Sequence, residues 1–285
     1  MLGDYESLWE AQARDERLRV RNGGGIITSL LLYGLEKGLI TEALAVRGSP
    51  REPWAEPTIA RTADEILATA GSKYTFVPYG PLVDGLGRSS AVVGLPCQTR
   101  ACRDRDRLKL GLFCGLNLSP RGLEYLLRHL GVDSQDIESL DYRAPGGGLL
   151  VKLKSGEEIR YGGYAWLAYF FSYKKCIYCT DYSNHCADVA VGDRRPQWSS
   201  VIVRTQRGKE LFLGALRDGY IQAKSLSADD LVSGLMSPFF QKEMRGGYIS
   251  TPWVRVRGRW AESLPLPVTK RLGSLILGHT AGRGK

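Results

Sequence analysis

Residues 90–114 read SAVVGLPCQTRACRDRDRLKLGLFC. Two short apolar runs, SAVVGLP and LGLFC, flank a polar stretch, CQTRACRDRDRLKL, and the pattern predicts strand, helix, strand. That alternation is the logic of an α/β fold. Cys97 and Cys114 fall at the ends of the two predicted strands, where loops carry function.

Working outward, residues 5–21 read as a charged amphipathic helix. Asn22 and three glycines break it, and IITSLLLYGLEKG starts a second helix that Gly38 stops. Strands are expected at 42–47 and 57–61. Thr62 to Glu65 has the form of a capping box and opens a short helix ending at Gly71. Downstream, 119–130 predicts a helix and 137–161 predicts strands turning at Lys154–Glu157. Two strands follow at 188–192 and 200–204, then a helix at 206–218. The chain beyond about 250 reads as irregular and basic. The fold class expected is mixed α/β: one large domain over 1–250, with a central mixed sheet flanked by helices and a β-rich insertion. Residues 251–285 form a basic C-terminal extension.

At 285 residues, 43% hydrophobic and 24% charged, the chain can bury a substantial core. The opening MLGDYESLWEAQARDERLRVR lacks the apolar centre of a secretory signal. The longest apolar stretches fall short of the roughly 20 residues of a membrane span. A cytoplasmic location is the expectation. The net charge of +9 favours anionic partners, but no zinc-finger pair or RNP motif accompanies it. Six cysteines without an export signal point to metal or redox use rather than a disulfide framework.

Three of those cysteines lie in CIYCTDYSNHCADVAVGD, residues 176–193. Cys176 and Cys179 form a C-x-x-C knuckle, which turns both sulfurs to one side. Structural zinc usually wants a second knuckle, and the sequence has none. Cys97 and Cys114 could complete a four-thiolate set for an iron–sulfur cluster, which tolerates dispersed ligands, or they could be small buried hydrophobes. Spacing alone leaves cluster, zinc and unliganded core all open. Cys102 reads as a half-exposed thiol among arginines, and Cys186 as core.

Other candidates surround them. Gly23, Gly24 and Gly25 before a helix suit a phosphate, because bare backbone and helix dipole both favour it. No G-x-G-x-x-G follows a strand, so no ordinary dinucleotide fold is implied. Ser72, Lys73, Tyr74 and Thr75 place a cation, a ring and hydroxyls after a helix end. Asp181, Asp188 and Arg204 are further candidates for polar contacts with a ligand.

LPCQTRA, GLFCG, C-x-x-C-x-D with the later ADVAVGD, AGSKYTF and GGIITSLL together resemble the beta subunit of coenzyme F420-reducing hydrogenase and its relatives in F420-dependent dehydrogenases. The resemblance runs from about residue 5 to about residue 215. It implies one 4Fe–4S cluster, one FAD, and coenzyme F420 as hydride partner. The cluster ligands implied are Cys97, Cys114, Cys176 and Cys179, carried by the β-rich insertion region, with Cys102 and Cys186 excluded. The flavin contacts implied are Gly24, Gly25, Thr28, Ser72, Lys73, Tyr74, Thr75, Asp181, Asp188, Ser199 and Arg204. The expected activity is F420-dependent oxidoreduction, with electrons passed to or from a partner redox subunit of hydrogenase type. No nickel–iron or ferredoxin-type cysteine run occurs here, so the resemblance implies a hetero-oligomer. Two other readings remain: the same cofactors acting on another substrate, and a zinc-stabilised basic binding protein.

Overall fold

A computed structural model describes residues 2–20, 23–48, 55–73, 75–104, 106–141, 148–162, 167, 170–234 and 263–281. Its strands are β1 (Ser7–Ala13), β2 (Glu42–Gly48), β3 (Ala55–Ala60), β4 (Ser90–Gly94), β5 (Leu108–Leu112), β6 (Ile137–Asp141), β7 (Leu149–Leu153), β8 (Glu158–Tyr161), β9 (Val189–Arg195), β10 (Trp198–Val203) and β11 (Ile221–Ser225). The helices are α1 (Ile26–Glu36), α2 (Ala63–Leu67), α3 (Gly80–Val83), α4 (Pro96–Ala101), α5 (Pro120–His129), α6 (Lys174–Ile177), α7 (Gln206–Arg217), α8 (Ala228–Gly234) and α9 (Leu266–Ala281).

Eight strands form one mixed sheet in the order β11-β1-β10-β9-β5-β4-β2-β3. Its centre, β2, β4, β5 and β9, is parallel. Strand β3 closes one side antiparallel, and β10, β1 and β11 extend the other in antiparallel pairs. The stretch at 90–114 is therefore β4–α4–β5, the middle of the sheet. Successive strand residues point to opposite faces. On one face Ala43, Ala91 and Leu110 meet Leu30 and Leu31 of α1 and Leu211 and Phe212 of α7. On the other, Leu44 and Val92 meet Tyr79, Leu86 and Cys102. Burying a side chain such as Phe212 in this way contributes about 2–3 kcal/mol. Cys102 is thus buried and Cys186 exposed, the reverse of the sequence expectation for each.

The helix expected at 5–21 is instead strand β1 followed by a single 3-10 turn at Glu16–Leu18. The charges misled the helical reading. Glu10 is buried on β1 because Arg194 and Arg195 of β9 reach its carboxylate at 3.1 and 2.6 Å. The Thr62 capping box is present, with reciprocal bonds to Glu65, and is worth about 1 kcal/mol. The C-terminal segment expected to be irregular contains α9; residues 251–262 lie outside the described residues. The boundary drawn at 250/251 also falls outside them.

Between β5 and β9 the chain makes an excursion. Helix α5 and the meander β6-β7-β8 enclose a second core of Leu126, Leu140, Val151 and Phe171, against which Leu266 and Leu272 of α9 pack. The excursion has a narrow neck. Leu118 bridges Ser172, Ser119 N–H donates to the Phe171 carbonyl at 2.8 Å, and Tyr173 N–H to the Asn117 carbonyl at 3.3 Å.

Candidate functional site

The neck explains how distant cysteines meet. Cys114 lies just before it and Cys176 just after it, so the two are brought together across a long stretch of sequence. Cys97 and Cys114 are matched by register. Gly94 of β4 pairs with Gly111 of β5, and each cysteine stands three residues beyond its glycine. Cys97 opens α4, and Cys114 N–H donates to the Tyr182 carbonyl at 2.9 Å. All four cysteines, Cys97, Cys114, Cys176 and Cys179, border one cavity. Two of its sides come from strand ends of the main sheet, and the third from the loop that follows the excursion between β5 and β9. Among the described residues, no three His, Cys, Asp or Glu side chains converge tightly enough to hold a single metal ion.

The cavity walls include Phe76, Leu95, Pro96 and Leu116, with Arg100, Lys175 and Asp181 as charged members. The Lys175 ammonium lies 4.1 Å from the centre of the Phe76 ring. Desolvation by these walls pushes the Cys97 thiol above its ordinary value, and Lys175 pulls the other way. Asp181 is 2% exposed and already committed. It accepts from Arg100 at 3.1 Å, from Asn184 N–H at 2.8 Å and from His185 N–H.

A second cleft, with about 1070 Å³ of open space, runs along the carboxyl ends of the parallel strands. That edge is where open α/β sheets bind ligands. Ala45, Val46, Val93, Gly94, Leu112, Gly192 and Asp193 form its floor, and Gly24, Gly25 and Thr28 bring in the start of α1. Gly25 has φ +70, and a Cβ there would stand 2.7 Å from the Leu18 carbonyl. At Gly24 a Cβ would stand 2.5 Å from Ser199 Oγ. Ser199, Ser72, Lys73 and Thr75 also line the cleft. The Lys73 ammonium caps α2's trailing turn, donating to the carbonyls of Thr69, Ala70 and Gly71 at 2.7, 2.7 and 3.0 Å. Its charge is thereby fixed on the cleft wall.

Leu95 lines both cavities. The segment 75–77 divides between them too: Thr75 and Val77 face the cleft, Phe76 the thiol cavity. One side chain fastens both parts of this partition. Gln98 accepts from Leu95 N–H at 2.8 Å and donates to the Val77 carbonyl at 2.9 Å. Sequence reading overlooked Gln98. Its position three residues after Leu95, where a helix-capping Gln reaches back, was the available signal.

Two expected residues lie in neither cavity. Asp188 precedes β9, at the sheet edge opposite the cleft. Its carboxylate takes Lys109 N–H at 2.7 Å, the Thr205 hydroxyl at 2.7 Å and Arg207 at 3.0 Å. Arg204 is buried and donates to the carbonyls of Leu2, Asp4, Ser183 and Asn184. Both serve as internal clips. Tyr74 lies outside the described residues.

Family models for the N-terminal and C-terminal parts of the coenzyme F420 hydrogenase/dehydrogenase beta subunit match residues 8–83 and 87–229. The chain belongs to that family. It is accordingly an oxidoreductase. The beta subunit of coenzyme F420 hydrogenase from Methanothermobacter thermautotrophicus is 29% identical, over 79% of this chain and 86% of its own length. The corresponding subunit from Methanococcus voltae is 27% identical, over 82% and 88%. In solved structures, a chain of the F420-reducing [NiFe] hydrogenase complex from Methanosarcina barkeri superposes with a TM-score of 0.72. That match covers 85% of this chain and 91% of the other at 24% identity, a likeness of fold. No helix among the described residues is long and apolar enough to cross a membrane.

Proposed function

We propose that this chain exchanges a hydride between coenzyme F420 and an FAD seated in the cleft. Single electrons then pass through a 4Fe–4S cluster on Cys97, Cys114, Cys176 and Cys179, to or from a partner redox subunit. The partner is a hydrogenase-type protein in a cytoplasmic hetero-oligomer, and F420 is the substrate. The observation that carries the reading is the shared wall: a glycine-floored cleft at the strand ends and a four-thiol cavity meet at Leu95.

Both sites fit the groups assigned to them. The bare backbone at Gly24 and Gly25 is a cradle that any side chain would fill, which suits the close approach of a phosphate. Four thiols border the other cavity, a donor set suited to iron–sulfur ligation. A flavin, when bound, accepts a hydride and releases electrons singly, which is the conversion required between a deazaflavin and a cluster. The chain's own contribution is placement. The first amides of α1 and the fixed Lys73 charge favour an anionic pyrophosphate. The Leu95 and Phe76 side chains keep the partition apolar. Arg100, held by Asp181, and Lys175 offset the negative charge of four thiolates.

Serine substitution of each cysteine in turn tests the assignment. Replacing Cys97, Cys114, Cys176 or Cys179 is expected to lower iron and sulfide content while flavin remains bound; Cys102→Ser and Cys186→Ser are expected to leave iron unchanged. Zinc in place of iron in the purified protein, with no flavin, would establish the zinc-stabilised binding reading instead. A bound flavin that reduced F420 leaves oxidised would favour a different substrate.

A further inference from the structure

One buried side chain outside the assigned ligand sets ties the cysteine loop to the sheet. Asn184 is fully buried and adopts φ 64, a left-handed backbone that a non-glycine residue adopts only at some cost. Its side-chain amide donates to the Gly94 carbonyl at 2.9 Å and to the Leu112 carbonyl at 3.2 Å. Its side-chain oxygen accepts from the Thr99 hydroxyl at 2.6 Å. Gly94 ends β4, Leu112 ends β5, and Thr99 follows Cys97 on α4. The backbone of Asn184 is used as fully: its N–H goes to Asp181, and its carbonyl takes Arg204. Gly111 is shaped to receive it, since a Cβ there would stand 2.5 Å from the amide carbon.

We infer that Asn184 is the latch that sets the Cys176/Cys179 loop against the strand ends carrying Cys97 and Cys114, and so holds the four thiols at cluster spacing. The inference rests on the cluster reading for its purpose, but the latch itself is a property of the polypeptide. Strands β4 and β5 set Cys97 and Cys114 by register, and the Tyr182 carbonyl of the loop also takes Cys114 N–H. The loop has no strand to register it until Val189. Between Cys179 and that point, Asn184 is the residue that bonds to both strand ends at once among the contacts described. A buried amide with all its donors and acceptors engaged is specific in a way an apolar plug is not, because any slip leaves strand-end carbonyls unsatisfied. Asn184 is therefore a positioning residue, acting on the thiols through the backbone.

The decisive variant is Asn184→Gly. Glycine accepts φ 64 without strain, so the substitution removes the three side-chain bonds and leaves the backbone geometry permitted. Thr99→Val removes one of the three and grades the effect. Amide hydrogen exchange on the metal-free full chain reads the latch directly. The 176–187 amides are expected to exchange about tenfold faster or more in Asn184→Gly, less so in Thr99→Val, with β1 and β11 unchanged as the reporter of intact folding. In protein purified without air, the same variant is expected to lose iron to a chelator at least about tenfold faster than the wild type. Wild-type exchange in the loop of Asn184→Gly would overturn the latch. Wild-type protein without iron would overturn the cluster reading while the exchange measurement still decided the latch. Faster exchange throughout β1 and β11 would also count against it, as general destabilisation.

Discussion

An added methyl group at Gly24 is the sharpest probe of the cleft. The methyl of Gly24→Ala would stand 2.5 Å from Ser199 Oγ, 2.9 Å from Ser199 N and 3.1 Å from the Ala11 carbonyl oxygen. The hydroxyl can rotate away. The other two atoms cannot, because Ala11 and Ser199 are paired in the β1–β10 ladder, and the Gly24 carbonyl is itself held by Ala13 N–H at 2.6 Å. The α1 start must therefore lift from the sheet, at a cost of about 1–3 kcal/mol, and the cleft floor moves with it. Ser199→Ala in the same chain removes the 2.5 Å contact alone, so it should recover only part of the loss. Gly38→Ala provides the control. Gly38 has φ +68 with open space around it and lies outside the cleft. It should cost about 1–2 kcal/mol for the left-handed backbone and leave flavin affinity alone. Urea denaturation gives the stabilities, and fluorescence quenching gives FAD affinity. The expected result is FAD binding weakened about tenfold or more, the equivalent of about 1.4 kcal/mol, in Gly24→Ala only. Wild-type FAD affinity in Gly24→Ala, or an equal loss in Gly38→Ala, would refute the placement of the flavin phosphate there.

Arg204→Met should destabilise the chain by about 3 kcal/mol through its abandoned carbonyls while FAD affinity, measured in native buffer, stays at the wild-type value; a selective loss of affinity would return Arg204 to the ligand set. Glu10 supplies a pH signature. Hydrogen bonding to Arg195, followed by the charges of Arg195 and Arg194, holds its carboxyl below the usual carboxylate value of 4.5. Its stabilisation is therefore complete above about pH 4.5 and is lost as pH falls through the lowered folded value. Glu10→Gln should cost about 1–2 kcal/mol at neutral pH and flatten the acid limb of the urea midpoint below about pH 4.5; an unchanged acid limb would contradict the assignment.

The parallel core was legible because β4–α4–β5 combines valine-rich runs with a polar helix, a local signal. Strand β1 was not. Its Glu10 and Gln12 look like a solvated helix face, and only the arginines of β9, nearly two hundred residues away, make a buried strand of it. Residue type singled out the glycines that enter the cleft and the four cysteines that border one cavity, while spacing alone left open what either place holds. Asp188 and Arg204 could not be told from ligand contacts, since a buried clip and a binding residue use the same side chains and differ only in what surrounds them. Asn184 carried no composition signal at all. Its importance comes from the convergence of Gly94, Leu112 and Thr99, which is a fact of three-dimensional register.

Mixing anaerobically purified protein with reduced coenzyme F420, with iron, zinc and flavin counted beforehand, decides whether electrons pass from F420 to a flavin on this chain. A brown, flavin-containing, iron-bearing protein is expected, with flavin absorbance that bleaches on mixing and reduction of the cluster after it. A colourless zinc protein, or a bound flavin that reduced F420 leaves oxidised, would contradict it.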